Sequence, residues 1–240
     1  VKGGDVPVDV QPLVDNMPPG LHDVFAVLKT AFGPQHWWPA DSAFEVMIGA
    51  ILTQNTSWSN VERAVTGLRA HGCLDPTRIL SLEHDALAEM IRPAGYFNVK
   101  ARRLVSFCQW YLEQGGYSEL STWLDERLRE ALLGVHGVGP ETADDILLYA
   151  FERPVFVVDA YTRRFFSRLG LVTGNIPYEP LRRFAETSLA FVPADERVGL
   201  YNEFHALIVA QGKSICRPKP RCGACGLSQR CPVGRSEPAR

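Results

Sequence analysis

The sequence predicts an all-α protein, and three observations carry that expectation. Apolar residues recur at helical spacing, helix start and stop signals punctuate them, and only "VFVV" at Val155–Val158 reads as a strand. One short β-like run among about ten helices leaves the chain in the helical class. Residues 1–20 hold Pro7, Pro12, Pro18 and Pro19 among scattered acids and read as a flexible arm. Leu21–Phe32 sets Leu21, Val24, Phe25, Val27 and Leu28 along one helical stripe. Ser42–Thr53 is apolar nearly all round, which predicts a buried helix. Ser57 or Ser59 caps the next helix, running to about Ala70, and Pro76 suits a first helical turn. Further helices are expected at His84–Ile91, Asn98–Glu113, Asp125–Leu133, Pro140–Ala150, Asp159–Leu169, Tyr178–Ala190 and Ala194–Gln211. The layout is an arm over 1–20, a helical core over 21–212 and a basic, cysteine-rich tail over 213–240.

The chain has 240 residues, 46% of them hydrophobic, enough for one large domain or two small lobes. A charged share of 22% excludes a disordered chain. No apolar run approaches the roughly 18 residues of a membrane span, so no membrane partner is expected. The N-terminus lacks a basic segment followed by an apolar core, so a cytoplasmic protein is expected, and separately a monomer. The net charge of −2 argues weakly against nucleic acid, but the average hides an asymmetry. From Lys213 onward there are Lys213, Arg217, Lys219, Arg221, Arg230, Arg235 and Arg240 against one acid, Glu237. That tail is either an electrostatic footprint for phosphates or a solvated terminus.

Four of the six cysteines crowd into "CRPKPRCGACGLSQRC", where Cys216, Cys222, Cys225 and Cys231 have the spacing C-x5-C-x2-C-x5-C. Cys73 and Cys108 stand alone in helical stretches and read as buried apolar fillers. A disulfide pair is disfavoured by the expected reducing compartment. Zinc usually takes two separated C-x2-C knuckles, and here there is one. One C-x2-C flanked by two outlying cysteines better suits a 4Fe-4S cluster, with zinc the alternative. Closing that loop would hold Arg217, Lys219 and Arg221 in register for a phosphate backbone.

"LLGVHGVGPETADDILLYA" spans Leu132–Ala150 and joins two apolar helices through Gly134, Gly137 and Gly139. Pro140 fits a first helical turn, and Gly137 and Gly139 tolerate positive φ. The result is a helix–hairpin–helix at about 125–150. Its backbone N–H groups, at a helix N-terminus, can approach an anion such as a DNA phosphate; an ordinary glycine-rich turn is the alternative. Asp159 ends the apolar run and starts a helix. It reads as an N-cap, as a functional carboxylate, or as both.

"GVHGVGPETAD" (Gly134–Asp144), followed by a helix, a proline-containing loop and "VVD" ending at Asp159, resembles the helix–hairpin–helix DNA glycosylases with a Gly/Pro loop and aspartate. The four-cysteine tail resembles the iron–sulfur loop of their endonuclease III branch, one residue tighter at its first spacing. The resemblance covers about Leu21–Cys231. It implies two interleaved helical lobes, double-stranded DNA containing damaged bases across a cleft, and a target base flipped into it. It carries over Gly137, Val138, Gly139 and Thr142 as DNA contacts of the hairpin, and Asp159 as the catalytic carboxylate. Bifunctional members place a lysine where this chain has Glu141, and a carboxylate cannot form their Schiff base. The resemblance therefore implies a monofunctional enzyme, in which Asp159 stabilises a cationic sugar or positions water.

"HWWPADSAFEVMIGAILTQNTSWSNVERAV" (His36–Val65) and "IRPAGYFNVKARRL" (Ile91–Leu104) resemble the 3-methyladenine DNA glycosylase III subgroup, which excises alkylated purines. By position, Trp37 and Trp58 would sandwich the flipped base, Trp38 and Pro39 would shape the wall, and Gln54 would fill the gap in the duplex. The plain alternatives are core packing for the tryptophans and a helix-end amide for Gln54. Leu207 stands where members of the subgroup can carry a pocket lysine, while Lys213 remains as a substrate-binding candidate. Two other functions stay open: an endonuclease III-like glycosylase/lyase with Lys213 or Lys100 as its amine, and a non-catalytic iron–sulfur protein that binds DNA damage.

Overall fold

The computed structural model describes residues 20–236, and its described residues form an all-α fold with no strand. The expected arm, apart from Gly20, and the last four residues of the basic tail lie outside them. The helices are α1 (Leu21–Phe32), α2 (Ala43–Leu52), α3 (Trp58–Ala70), α4 (Pro76–Ser81), α5 (His84–Met90), α6 (Phe97–Glu113), α7 (Gly116–Leu120) and α8 (Asp125–Gly134). They continue with α9 (Pro140–Asp145), α10 (Ala160–Arg168), α11 (Tyr178–Ser188), α12 (Arg197–Ser214) and α13 (Pro232–Ser236). Short 3₁₀ turns stand at Arg92–Ala94, Cys222–Ala224 and Ser228–Arg230. α7 went unforeseen because its five residues are too few for a helical period to register.

The chain folds into two compact units, each assembled from separate segments. One unit holds His36–Val157 and Pro193–Asn202. Its centre is α2, in which every residue from Glu45 to Leu52 is buried, as its all-round apolar sequence requires. Ser42 starts that helix by accepting from the Glu45 N–H, and α3, α6 and α9 pack against it. Lys100 on α6 is only 1% exposed, and its Nζ donates to the carbonyls of Leu52 at 2.9 Å and Ala94 at 2.8 Å. This ammonium satisfies a carbonyl at the end of α2 that the helix itself leaves open. α8 and α9 are tied by a fork: Arg129 Nε donates to Asp144 Oδ1 at 2.6 Å and Nη2 to Oδ2 at 3.2 Å, with the Asp144 side chain fully buried.

The other unit holds the residues up to Gln35, Val158–Val192 and the chain from Glu203 on. Phe25 of α1 meets Phe204 of α12 edge to face at 5.5 Å, and Phe166 of α10 meets Phe184 of α11 in the same way. Gly212 of α12 leaves the room that the Tyr161 ring occupies.

Two expectations change. Val155–Val158 is not a strand: all four residues are buried, but no strand pairs with them among the described residues. An apolar run that short has the same pattern in a buried connection as in a buried strand. The helix expected over Pro140–Ala150 is α-helical only to Asp145 and finishes as a π-type turn, Ile146–Ala150. Pattern reports the buried face and not the hydrogen-bond register.

Removing Arg129 takes the forked cationic partner from a fully buried carboxylate. Arg129→Ala is therefore expected to lower unfolding free energy by about 3 kcal/mol, read as a shift in the denaturant midpoint. Lys100 gives a pH test. Burial, and then Arg103, push its ammonium down to about 8 from 10.5. The unfolded chain thus holds the extra proton between those values, so this residue makes stability rise with pH across that window. Lys100→Met should lack that rise in denaturant titrations at stepped pH.

Candidate functional site

Within the first-described unit, α8, Val135–Gly139 and α9 build the hairpin. Gly137 has φ +87°, and a Cβ there would run into the Arg103 side chain. Gly139 is different: it caps α9 in extended conformation, at φ −97°, with nothing within 4 Å of the Cβ position. The turn therefore needs one left-handed glycine and not the two that the sequence suggested. The Val138 side chain is buried and its N–H is bonded to Val135 O at 3.0 Å. Thr142 is also buried, while Glu141 is exposed in the first turn of α9.

The hairpin is wired to Gln54. Its Nε2 donates to Gly137 O and to Thr142 Oγ1, both at 2.9 Å, while Arg103 Nη1 donates to its Oε1. These three bonds fix the orientation of the amide. Gln54 follows the end of α2, where Lys100 joins Leu52 O to Ala94 O. Close by in sequence, Tyr96 is 71% exposed at φ +47°.

Trp37, Trp38 and Trp58 converge in this same unit, and none belongs to the buried core. Trp38 stands edge to face on Trp58 at 4.9 Å, packs on Tyr149 at 5.1 Å and lies over Gly49. Trp37 and Trp58 have ring centres 5.7 Å apart and planes tilted by 48°. A stacked base needs parallel faces with room between them, so this pair is closed against the expected sandwich in this state. Trp38, Pro39 and Trp58 instead wall a recess of about 440 Å³, rimmed by Asp41, Glu45, Glu62 and Arg69.

Asp159 lies in the second unit, as the N-cap of α10. Its Oδ1 accepts from the Thr162 N–H at 2.7 Å, and its Oδ2 lies 3.7 Å from His205 Nε2 on α12. Burial alone would push this carboxyl up, but His205 and the Thr162 N–H hold it below the ordinary carboxylate range. It is therefore an anion at neutral pH, with one oxygen committed to the helix. Lys213 lies within electrostatic reach of it; burial lowers the Lys213 ammonium overall, and Asp159 opposes that shift.

The four clustered cysteines surround one cavity in this unit, with Phe165, Leu169, Ile215 and Val233. None of the six cysteines is in a disulfide. Among the described residues no group of three His, Cys, Asp or Glu side chains is set to hold a single ion. Arg168 Nη1 faces Cys216 Sγ at 3.4 Å and donates to Arg217 O at 2.6 Å, and Gln211 Nε2 faces Cys225 Sγ at 3.3 Å. Arg164 holds Cys216 O at 2.9 Å. Arg217, Lys219 and Arg221 are exposed on this loop.

The family model for base excision DNA repair proteins of the HhH-GPD superfamily matches residues 48–190, more than half of the chain. The chain belongs to that superfamily. It is accordingly a base excision repair DNA glycosylase. It is 44% identical over 214 residues to a Methanocaldococcus jannaschii protein assigned by name to the DNA repair glycosylases, covering 88% of this chain and 95% of that one. Its fold is similar to a Helicobacter pylori 3-methyladenine DNA glycosylase bound to 1,N6-ethenoadenine, with TM-score 0.72, 29% identity and coverage of 81% and 98%. A trapped endonuclease III–DNA covalent intermediate shares the fold at TM-score 0.75 and 21% identity, over 90% of this chain and 95% of that one.

The HhH-GPD match takes in Gln54, Trp58, the hairpin and Asp159, and leaves out Trp37, Trp38, Pro39, Lys213 and the cysteine loop. Sequence reading missed His205 and Arg103. A histidine in an apolar helical stripe gives no sign of which carboxylate it will face. Arg103, in turn, looks like any charge on an exposed helix face.

The two hairpin glycines separate folding from binding. Gly137→Ala should cost at least about 1–2 kcal/mol, from left-handed strain. Gly139→Ala should leave the melting temperature within a few degrees yet weaken binding to undamaged duplex in a fluorescence anisotropy titration.

Proposed function

We propose that this protein is a monofunctional glycosylase that hydrolyses alkylated purines from double-stranded DNA. The observation that carries the reading is the Asp159 carboxylate, anionic despite burial and held by a helix N-terminus. Departure of a base leaves positive charge on the sugar, and a fixed carboxylate in a mostly dry site stabilises that charge without reorganising. A purine alkylated on a ring nitrogen is already cationic and leaves without a strong general acid. Glu141, at the position where the resembling bifunctional enzymes carry lysine, offers no amine for a covalent sugar adduct.

Similarity to the 3-methyladenine glycosylase structure supports a purine substrate, as do the tryptophans. The recess walled by Trp38, Pro39 and Trp58 falls within the ordinary volume range of ligand pockets. Each ring facing a cationic base adds about 1–2 kcal/mol; of the rim acids, Asp41 and Glu45 are ion-paired with Arg69, and Glu62 adds a carboxylate beside Trp58. Stacking on Trp37 requires that ring to swing away from Trp58. Duplex contacts in this reading come from the hairpin backbone, from Arg217, Lys219 and Arg221, and from Gln54 once it leaves Gly137 and Thr142. Tyr96, exposed at the N-cap of α6, adds a candidate stacking face.

The cysteines fit a 4Fe-4S cluster: four thiols line one cavity, and Arg168 and Gln211 point donors at sulfur. Cys216, Cys222, Cys225 and Cys231 would hold it. The cluster would supply a cross-link that shapes the basic loop, and Arg164 and Arg168 would hold that loop to α10.

Lys213 favours a second reading, a glycosylase/lyase, because its ammonium is lowered and Asp159 is within electrostatic reach. Lys100 does not serve there: it is 1% exposed and bonded to two carbonyls.

Asn is as good an N-cap as Asp, so Asp159→Asn preserves the fold while removing the charge. It should reduce base release from duplexes carrying alkylated purines by at least about 100-fold and leave DNA affinity intact. Borohydride should trap no adduct on abasic DNA; strong trapping that disappears in Lys213→Ala would establish the lyase reading instead.

A further inference from the structure

The strongest unassigned feature is the imidazole of His205. Its side chain is 7% exposed and lies on α12 between buried Phe204 and Ala206. Placing a polar ring there carries a desolvation cost that leucine would avoid. The ring lies beside the Asp159 carboxylate: His205 Nε2 is 3.7 Å from Asp159 Oδ2. The other carboxylate oxygen is held at 2.7 Å by the Thr162 N–H, so Oδ2 is the oxygen left to turn toward substrate. At 3.7 Å the contact is longer than a hydrogen bond, and a small movement of either group would close it.

We propose that His205 is a positioning residue for Asp159, and that its Nε2–H aligns Oδ2 as positive charge develops on the sugar. The proposal rests on the catalytic reading of Asp159 given above. The imidazole forms no bond to substrate and transfers no proton. Its effect is to restrict rotation of the carboxylate and to keep that group anionic in a dry site. Glutamine can place an N–H near the same oxygen; leucine fills similar space and cannot.

The test compares His205→Leu and His205→Gln in the full-length protein. Single-turnover base release is measured at saturating enzyme on a duplex carrying an alkylated purine, beside binding affinity and melting temperature. His205→Leu is expected to slow release about 10–100-fold without weakening binding, a loss of the size seen when a supporting partner is removed. His205→Gln should recover most of the rate at a similar melting temperature. In an Asp159→Asn background, His205→Leu should have no further effect, because the group it positions is gone. If Leu and Gln lose rate only in step with melting temperature, the role is structural and the proposal fails. If Asp159→Asn is inactive while His205→Leu is fully active, the proposal fails and the Asp159 reading stands. If Asp159→Asn keeps full activity, the Asp159 reading fails and takes this proposal with it. A readout independent of turnover is the His205 ring nitrogen resonance. It should shift in Asp159→Asn; an unchanged signal would show that the two groups do not interact.

Discussion

The Asp159 carboxylate is asked to do two things at once. One oxygen terminates α10 by taking the Thr162 N–H, and the other is turned toward His205. On the proposed catalytic reading, a freely rotating aspartate would have to be aligned during reaction. Here the helix N-terminus fixes it in advance, and the partial positive charge of that terminus helps keep it ionised. The same helix carries Arg164 and Arg168 toward its other end, where they hold carbonyls of the cysteine loop, and Arg164 also holds Gly212 O of α12. The charged group and the loop are thus two ends of one rod.

The hairpin unit follows a comparable logic. Gly137 bends the backbone where Arg103 leaves no space for a side chain, and Arg103 also holds the Gln54 amide. Gln54 in turn bonds the hairpin through Gly137 and Thr142. Lys100 secures the end of the helix from which Gln54 emerges. Duplex contact and gap filling, on the proposed reading, draw on one hydrogen-bonded assembly. Gln54 must give up two donated bonds to leave it, so insertion into DNA has to supply comparable bonds to the orphaned base.

Much of the fold was legible because its signals are local. The all-round apolar stretch at Ser42–Thr53 became buried α2, Pro140 took the first turn of α9, and Asp159 became the N-cap of α10. Each outcome depends on residues within one or two turns. The misreadings also have physical causes. A buried "VFVV" looks the same with or without a partner strand, and a helical pattern does not distinguish α from π register after Asp145. Gly139 looked like a second left-handed residue because composition reports tolerance of positive φ and not its use.

By itself the sequence determined the helical class, the hairpin, the capping aspartate and the presence of four clustered cysteines, all set by short-range periodicity, backbone preference and spacing. Only the tertiary structure decided that His205 faces Asp159, that Gln54 is docked on a hairpin 83 residues away, and that Arg168 reaches the cysteine loop. It also decided that Trp37 and Trp58 lean together and do not stand parallel. Those are contacts between side chains distant in sequence. Their geometry is fixed by how whole helices pack, and no local pattern encodes it.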